Sequence, residues 1–403
     1  MHPPKILVLT TTYPVNETDW AGAFIHNLVL ALRRRGFELE VIAPSNGEGY
    51  GSQFIDGVRV TRFGYFWPRS LERLTKGAGG IPENMSRDFL ARIQVIPMMA
   101  IFFLKSLLRS GRVDAIYSNW MGAGLVGSIV SRISGKPMVV SFRGDDGYLA
   151  RDNRLWRIFT KFVVRQAYFV TAVNSELLEI MRGLGANPSK LGIPRFGVDT
   201  SVFFPGTENG NPGATVRIIF VGSLIPKKGL QDLINALADP GFRGISLTIV
   251  GDGYYSEYLK ALAKEKLGHC KVEWKGLTAP KEVAKLMRQS DILVLPSYTE
   301  GSPNVVKEAM ATALPVISTM VGGIPELVCH EKTGLLYKPG DIGALRGWLF
   351  KLASDPHLRK EMGLLSKKSL EKAGLNWDVT ALDFAEIFSR AIRERGLKSR
   401  SFD

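Results

Sequence analysis

Two glutamates around the start of one short helix are the side chains in this sequence best placed for chemistry. Glu300 lies in the loop before a helix predicted over 304–313, and Glu308 lies inside that helix. The N-terminus of a helix favours anions, and an ionised carboxylate only accepts hydrogen bonds. We therefore expect the pair to bind the hydroxyl groups of a ligand whose phosphate lies at the helix start.

The stretch from Asp291 to Glu326 supplies the elements that position this pair. A buried strand, DILVLP, is followed by a polar loop, by Ser302-Pro303 as predicted N-cap and first turn, and by a second strand, PVIS. Strand, helix and strand form a βαβ unit of a parallel sheet, whose carboxyl edge binds phosphate. Five Glu-x7-Glu pairs occur in the chain, where about one is expected by chance, so context and not spacing selects this one.

Three earlier strands of the second half end in similar loops. IIFVGSLIPKKGL places Lys227-Lys228-Gly229 at a predicted helix start, which suits a diphosphate, although a solvent-facing lysine pair would have the same sequence. Gly251-Asp252-Gly253 and Lys275-Gly276-Leu277 follow the next two strands. Together with the Glu300 loop, these four strand ends should converge on one site at the sheet edge.

The first half opens as another βαβ unit. ILVLT leads to Gly22, a helix to Arg35 and the strand ELEVIAP, so the Gly22 loop should lie at a carboxyl edge of the sheet. KPMVVSF ends in Arg143-Gly144-Asp145-Asp146 on the same predicted edge, with a solvated polar turn as the alternative. For residues 44–86 we expect a long, mobile loop with short strands.

Length and charge give the overall organisation. A chain of 403 residues fits two domains, and GTENGNPGA at 206–214 has linker composition. Of the formal charge of +14, residues 1–200 carry +9 from 25 Lys and Arg against 16 Asp and Glu. This predicts an anionic partner or simply a basic surface, and the absence of a binding motif argues against nucleic acid.

The segment 87–112 has two interpretations. Its apolar run from Ile93 to Leu104 is bordered by basic residues, so it is either a core helix or an amphipathic helix at an anionic membrane surface. No segment reaches 18 apolar residues, and the N-terminal run is short for a signal peptide. With Cys270 and Cys329 interpreted as reduced, buried thiols, we expect a cytoplasmic protein, which the second interpretation of 87–112 would place at the inner membrane face.

The motifs of the second half resemble the family 4 retaining glycosyltransferases of GT-B fold. FVGSLIPKKG, IVGDG, KGL, SDILVLPSYTEGSPNVVKEAMATALPVIS, VGGIPELV and TGLLY match in order and spacing over about 216–340. GAF, RRRGFELEVIAP and GVDTSVFFP extend a looser match through the first half. The resemblance implies two Rossmann-like domains facing a cleft: an acceptor domain, 1–199, completed by a returning C-terminal helix in 377–403, and a nucleotide-sugar domain, 200–376.

Site roles follow from the same resemblance. Glu308 would bind the ribose hydroxyls, Glu300 and the backbone of 301–304 would orient the sugar, and Lys228 would offset the diphosphate charge. Ser223 stands where the family often has Arg. Arg143 stands where the family often has His, and this replacement puts in doubt a His-based role on the acceptor side. The predicted catalytic residues are Glu300, Lys228, Arg143 and Asp145; the predicted donor-binding residues are Glu308, Gly22, Ser223, Lys227, Gly251, Gly276, Leu277, Gly301, Ser302, Pro303, Asn304 and Val305.

The implied activity is transfer of a sugar from a UDP- or GDP-sugar to a glycan or lipid-linked hydroxyl, with retention and without a metal or other cofactor. Domain closure would exclude water from the site. Two other functional classes fit the sequence: a GT-B-fold nucleotide-binding partner that has lost catalysis, and a sugar-nucleotide epimerase or hydrolase.

Overall fold

The computed structural model describes residues 2–16, 19, 22–77, 80–206 and 215–400, with the backbone alone for 396–400. The predicted linker therefore lies almost wholly outside the described residues. Two compact units divide the chain. The first comprises Met1–Arg195 with Trp377–Asp403, and the second comprises Phe196–Asn376.

An eight-stranded sheet forms the centre of the first unit, in the order β3-β4-β2-β1-β5-β6-β7-β8. All neighbours are parallel except the β3–β4 hairpin. The chain leaves β1 towards β2 on one side and later adds β5 on the other, so the topological switch point lies between β1 and β5. The strands are β1 Lys5–Leu9, β2 Glu38–Pro44, β3 Gly51–Ile55, β4 Val58–Phe63, β5 Ala115–Asn119, β6 Met138–Phe142, β7 Phe169–Ala172 and β8 Leu191–Gly192.

Helices cover this sheet because its central strands are apolar on both faces and must be buried. The strands β1, β5 and β6 have almost no exposed side chains. The helices of the N-terminal segment are α1 Ala23–Arg34, α2 Gly80–Arg87, α3 Phe89–Ile93, α4 Val95–Ser110, α5 Trp120–Ser134, α6 Asp145–Asp152, α7 Arg154–Gln166 and α8 Ser175–Gly183.

The region predicted as a long loop, 44–86, is more regular than expected. It contains the hairpin strands β3 and β4, joined by Asp56-Gly57 with positive φ at both residues, and most of α2. An Asp-Gly pair favours such a tight turn, and this signal was available in the sequence. The segment IPRF, 193–196, forms no strand, and the preceding strand β8 ends at Gly192.

A six-stranded, fully parallel sheet forms the second unit, in the order β11-β10-β9-β12-β13-β14. Its switch point lies between β9 and β12. The strands are β9 Arg217–Val221, β10 Ser246–Val250, β11 Lys271–Gly276, β12 Ile292–Leu295, β13 Val316–Thr319 and β14 Gly334–Tyr337; the helices are α9 Leu230–Leu237, α10 Ser256–Lys266, α11 Pro280–Arg288, α12 Asn304–Ala311, α13 Ile324–Leu327, α14 Ile342–Ser354 and α15 Pro356–Lys372.

The last helix, α16 (Trp377–Arg400), belongs to the first unit, as the sequence predicted. It packs beside α1, and its Phe384 and Phe388 lie edge-on against the buried ring of Tyr117, with ring centroids 5.3 and 5.7 Å away. The first unit is thus completed by the C-terminal segment. The unit boundary falls after Arg195, and Val198 in the second unit bridges to Asn376.

Candidate functional site

Glycine lets three strand-end loops of the second unit meet. Gly251 has φ 130°, and a Cβ atom there would lie 1.9 Å from the carbonyl oxygen of Gly222. Its N–H donates to the Gly276 carbonyl at 2.9 Å, and the Leu224 N–H donates to that of Asp252 at 2.9 Å. The loops after β9, β10 and β11 therefore form one backbone surface at the carboxyl edge, with Leu277 exposed beside it.

The loop after β12 joins this surface through an ion pair. Lys228 Nζ donates to Glu300 Oε1 at 2.6 Å, and Ser297 Oγ donates to the same oxygen at 2.7 Å. The Lys228 and Glu300 side chains are 21% and 8% exposed, so the pair is largely shielded from water. A cation and a carboxylate 72 residues apart thus meet at the switch point of the sheet.

Lys227 and Lys228 lie directly before a helix, as the sequence predicted, and not inside its first turn. They lie in a single 3₁₀ turn, Pro226–Lys228, and α9 begins after Gly229, whose φ is 72°. A Cβ atom at Gly229 would lie 1.9 Å from the Pro296 carbonyl oxygen, so only glycine lets this turn sit against the end of β12. The turn brings Lys228 to Glu300.

A second connection, which the sequence did not predict, fixes the two loops. The Tyr298 N–H donates to the Lys227 carbonyl at 2.8 Å, and the Tyr298 hydroxyl donates to Asp232 Oδ2 at 2.8 Å. Asp232 lies in the first turn of α9. Because Ser297 and Tyr298 follow closely after β12, the sequence could have indicated that they lie at the site. Their hydrogen-bonding partners could not be predicted, because they depend on tertiary structure.

Glu308 differs from Glu300 in having no partner. Within the described part of the chain, no group hydrogen-bonds its carboxylate. Burial raises the pKa of Glu308 to about 7, an effect that nearby Lys307 opposes. Lys307 itself is buried and donates to the Phe196 carbonyl at 3.1 Å. A partly buried carboxylate without donors is suited to accept hydrogen bonds from a ligand's hydroxyl groups.

The predicted N-cap at Ser302 is wrong. Pro303 occupies the cap position with no side-chain hydrogen bond, and Asn304 and Val305 are the first helical residues of α12. The Gly301 carbonyl accepts the Gly323 N–H at 2.7 Å, which ties this loop to the one after β13. Because no side chain caps α12, its first N–H groups can serve a ligand. Ser223 is buried just after β9.

At the first unit's carboxyl edge, Arg143 lies next to the Gly22 loop. Its guanidinium carbon is 4.3 Å from the ring centroid of Phe24, its Nε donates to Asn119 Oδ1 at 3.2 Å, and a terminal nitrogen donates to the Tyr117 hydroxyl at 3.0 Å. Gly22 has φ 81°, and a Cβ atom there would lie 2.8 Å from the Thr12 carbonyl oxygen. Arg143 is therefore held by neighbouring side chains.

Asp145 and Asp146 take different positions. Asp145 is exposed at the first residue of α6, whereas Asp146 is buried. The Asp146 carboxylate accepts the N–H groups of Met121, Arg143 and Gly144 at 3.1 to 3.2 Å, while burial raises its pKa to about 6. Asp146 thus holds the backbone after β6 against the first turn of α5. The sequence places Asp146 on this edge as part of Arg143-Gly144-Asp145-Asp146 but does not predict its burial or its partners.

The described residues contain no cluster of three or more His, Cys, Asp or Glu able to hold a metal ion. Both cysteines are free; Cys270 is half-buried, and Cys329 is exposed, contrary to the expectation of two buried thiols.

Two family models match the chain. Residues 21–194 match the glycosyl transferase 4-like domain, and residues 207–369 match glycosyl transferases group 1. The first match lies within the N-terminal segment of the first unit, and the second match lies within the second unit.

Curated relatives agree with the family matches. D-inositol 3-phosphate glycosyltransferase of Corynebacterium efficiens is 29% identical, over 94% of this chain and 92% of that protein. WcaL of Salmonella typhimurium, whose name assigns it to colanic acid biosynthesis, is 32% identical over 44% of this chain and 45% of its own length. Among solved structures, Anabaena HepE in complex with UDP-glucose superposes with a TM-score of 0.74 and 19% identity, over 96% of this chain and 99% of HepE.

Proposed function

Because the chain belongs to the family 4 glycosyltransferases of GT-B fold, we propose that it transfers a hexose from a UDP- or GDP-sugar to a hydroxyl acceptor with retained anomeric configuration. The observation that carries this proposal is the arrangement at the second sheet's switch point. Lys228 and Glu300 are paired there, and Glu308 has a partly buried carboxylate that accepts no hydrogen bond within the described residues.

The donor contacts follow from the chemistry of each group. The Glu308 carboxylate accepts hydrogen bonds from the ribose hydroxyls, and the backbone surface around Gly251 and Gly276 borders the base. The uncapped start of α12 and the Lys228 ammonium face the diphosphate. The complex with UDP-glucose reported for HepE supports a nucleotide-sugar donor.

Donor binding must rearrange the Lys228–Glu300 pair. In the structure the Lys228 ammonium is paired with the Glu300 carboxylate. A diphosphate brings negative charge that competes for Lys228, which frees Glu300 to accept hydrogen bonds from the sugar hydroxyls. The same ammonium then stabilises the charge that develops on the departing diphosphate, so one cation serves both states.

The transfer step itself needs no protein nucleophile. The bond between the sugar's anomeric carbon and the diphosphate oxygen breaks with its electron pair going to that oxygen. The acceptor oxygen forms a bond to the anomeric carbon from the same face, and its proton passes to the departing phosphate. Because Lys228 and the helix start carry the leaving-group charge, we propose that the reaction requires neither a metal nor a cofactor.

We assign acceptor binding to the first unit, where Arg143 and Asp145 lie at the sheet edge; Gly22, in the neighbouring loop, keeps its predicted role in donor binding. A glycan or lipid-linked acceptor in cell-surface polysaccharide biosynthesis fits the basic first half and the similarity to WcaL. We place the reaction in the cytoplasm, at the inner face of the membrane.

A two-part assay tests the activity. Purified protein is incubated with UDP- and GDP-hexoses, first alone and then with glycan or lipid-linked acceptors, with and without EDTA. We expect acceptor-dependent nucleotide release that EDTA leaves unchanged, and NMR of the product should show the donor's anomeric configuration. Nucleotide release or epimer formation at the same rate without acceptor would indicate a hydrolase or epimerase. Donor binding without turnover on any acceptor would indicate a binding partner.

A further inference from the structure

An apolar stripe runs along the outer side of α3 and α4. Phe89, Ile93, Ile96, Leu104 and Leu108 follow one another at helical spacing and are exposed, Ile96 and Leu108 by 78% and 79%. Isolated exposed apolar residues are ordinary, but a continuous row over two consecutive helices marks a contact surface.

The opposite side of α4 belongs to the core of the first unit. Met98 and Phe102 are buried, and the rings of Phe102 and Phe63 lie with centroids 5.3 Å apart. Phe89–Ser110 is long and apolar enough to span a bilayer by length and composition, but 28% of its most apolar window is buried in the unit. If α3 and α4 spanned a bilayer, Met98 and Phe102 would have to leave the core of the first unit. The buried side confirms the interpretation of this segment as a core helix, and the interpretation as a helix at a membrane surface stays a prediction.

Two neighbouring helices continue the surface. α5 packs beside α4, and α7 packs beside α5. α5 exposes Ile129 and Ile133, one turn apart, and α7 exposes Leu155, Ile158 and Phe159. We call the exposed sides of α3, α4, α5 and α7 the helical face.

Charge distinguishes the helical face from an ordinary apolar patch. Of the chain's 403 residues, 38 are Asp or Glu, so about five would be expected in helices of this combined length, yet these helices contain none. By contrast, α16, which packs beside α1, carries Asp378, Asp383, Glu386 and Glu394. Helices α1 and α14 also lack acidic residues, so it is the combination with exposed apolar and basic side chains that characterises the helical face.

Basic side chains replace them. Arg154, Arg157, Lys161 and Arg165 recur along α7, and α5 carries Arg132. No carboxylate among the described residues pairs with Arg132, Arg154 or Lys161, whereas Arg109 of α4 has Glu40 at 3.5 Å. Long basic side chains can extend from an apolar surface to phosphate groups at the water boundary.

An exposed tryptophan lies close in sequence to a loop held against the start of α4. The side-chain amide of buried Gln94 donates to the Leu71 carbonyl at 2.7 Å and accepts the Arg73 N–H at 2.9 Å. Trp67, four residues before Leu71, is 86% exposed. Tryptophan is enriched where a membrane's hydrocarbon region meets its headgroups.

We propose that the helical face docks the protein on an anionic lipid bilayer, with α3 and α4 lying in the interface and the basic residues of α5 and α7 contacting lipid phosphates. Apolar residues, the absence of acidic groups and unpaired cations together match a surface of acyl chains beneath negative headgroups. The inference is independent of the catalytic chemistry, although it would bring the protein to a lipid-linked acceptor.

Vesicle flotation tests the charge component with matched variants. The full chain is mixed with vesicles of pure phosphatidylcholine or of phosphatidylcholine with 30% phosphatidylglycerol, without nucleotide sugar. We expect binding only to the anionic vesicles, weakened by high salt. Arg132→Glu/Lys161→Glu should reduce partitioning at least about 20-fold, since each basic residue contributes about fivefold. Lys264→Glu/Lys360→Glu, on exposed sites of the second unit, should reduce it much less.

The apolar component has its own pair of variants. Leu104→Glu/Leu108→Glu should abolish flotation, whereas Leu364→Glu/Leu365→Glu, which alters exposed leucines of the second unit, should not. Equal binding to both vesicle types, or wild-type binding by either helical-face variant, overturns the proposal. So does sedimentation showing a wild-type dimer that Leu104→Glu/Leu108→Glu converts to monomer, since the face would then bind a second copy.

Thermal stabilisation by UDP- and GDP-hexoses, measured on the same preparations without vesicles, separates this inference from the proposed function. The helical-face variants should keep the wild-type stabilisation, which also shows that they are folded. If wild type shows no stabilisation by any donor but floats with anionic vesicles, the proposed function fails and the membrane inference stands.

Discussion

The two sheet edges differ in how their charged groups are satisfied. In the second unit, Lys228 and Glu300 neutralise each other, and Glu308 has no hydrogen-bonding partner in the described residues. In the first unit, Asp146 accepts three backbone N–H groups, and Arg143 is held by Phe24, Tyr117 and Asn119. The second edge can exchange its partners for a ligand, whereas the first uses its charges to hold its own shape.

This difference indicates which edge binds the more highly charged substrate. An ion pair can open when a diphosphate competes for the cation, so the Lys228–Glu300 pair is suited to donor binding. The Arg143 edge offers aromatic rings and a fixed cation instead. Phe24 also contacts Trp120 edge-on, with ring centroids 5.9 Å apart. Trp120 has φ 67°, a costly backbone conformation for a non-glycine residue.

Lys228→Ala tests the difference with the largest expected effect. Removing the cation that meets the leaving-group charge should lower kcat by about 10²- to 10³-fold, the range for losing one transition-state donor. Steady-state kinetics with saturating donor measures this loss, and Lys228→Arg, which keeps the charge, should recover part of it. Near-normal turnover by Lys228→Ala would remove Lys228 from the mechanism.

Glu308→Gln should weaken donor binding by at least about tenfold, because an amide replaces the carboxylate that accepts the ribose hydroxyls. Wild-type affinity should rise as pH increases through about 7, where Glu308 ionises, and this dependence should be missing in the variant. Binding titrations from pH 6 to pH 8 measure both. An unchanged affinity and pH profile would contradict the assignment of Glu308.

The same variant should have the opposite effect on the free protein. The pKa of Glu308 in the folded state, about 7, lies above its ordinary value of 4.5, so folding is favoured by the bound proton at low pH. That contribution is lost as pH rises from about 4.5 to about 7. Glu308→Gln should therefore melt a few degrees higher than wild type at pH 8 and nearly equally at pH 4.5. Calorimetric scans at both pH values test this.

Arg143→Met should affect the acceptor more than the donor. We expect the acceptor KM to rise by about tenfold with the donor Kd unchanged, because the side chain lies at the first unit's edge. Arg143→Lys keeps a cation but not the planar group stacked on Phe24, and should lie between the two. A change confined to the donor Kd would contradict the assignment of acceptor binding to the first unit's edge.

Ser297→Ala should have the smallest effect. It removes one hydrogen bond to Glu300 but leaves the ion pair with Lys228, so we expect a loss of about threefold to tenfold in kcat/KM. Thr299→Ala, an exposed neighbour in the same loop, is the matched control and should behave like wild type. If both variants lose activity equally, Ser297 has no specific role in holding Glu300.

Local patterns predicted much of the fold because buried parallel strands are apolar runs that polar loops interrupt. These patterns predicted β12, α12 and β13, and they predicted that the loops around Gly251 and Gly276 converge. They could not give the pairing of Lys228 with Glu300, because it depends on how two distant loops pack. The error at Ser302 has a similar origin, since the loop is held by Gly301 and Gly323 instead of by a cap.

Calorimetric titration of UDP and GDP into wild type, Glu308→Gln, Lys228→Ala and Arg143→Met tests the central claim most directly. The account predicts that wild type binds at least one nucleotide, that both second-unit variants bind it at least about tenfold more weakly, and that Arg143→Met binds it like wild type. Binding of neither nucleotide by wild type, or binding that is lost in Arg143→Met but unchanged in Glu308→Gln and Lys228→Ala, would contradict it.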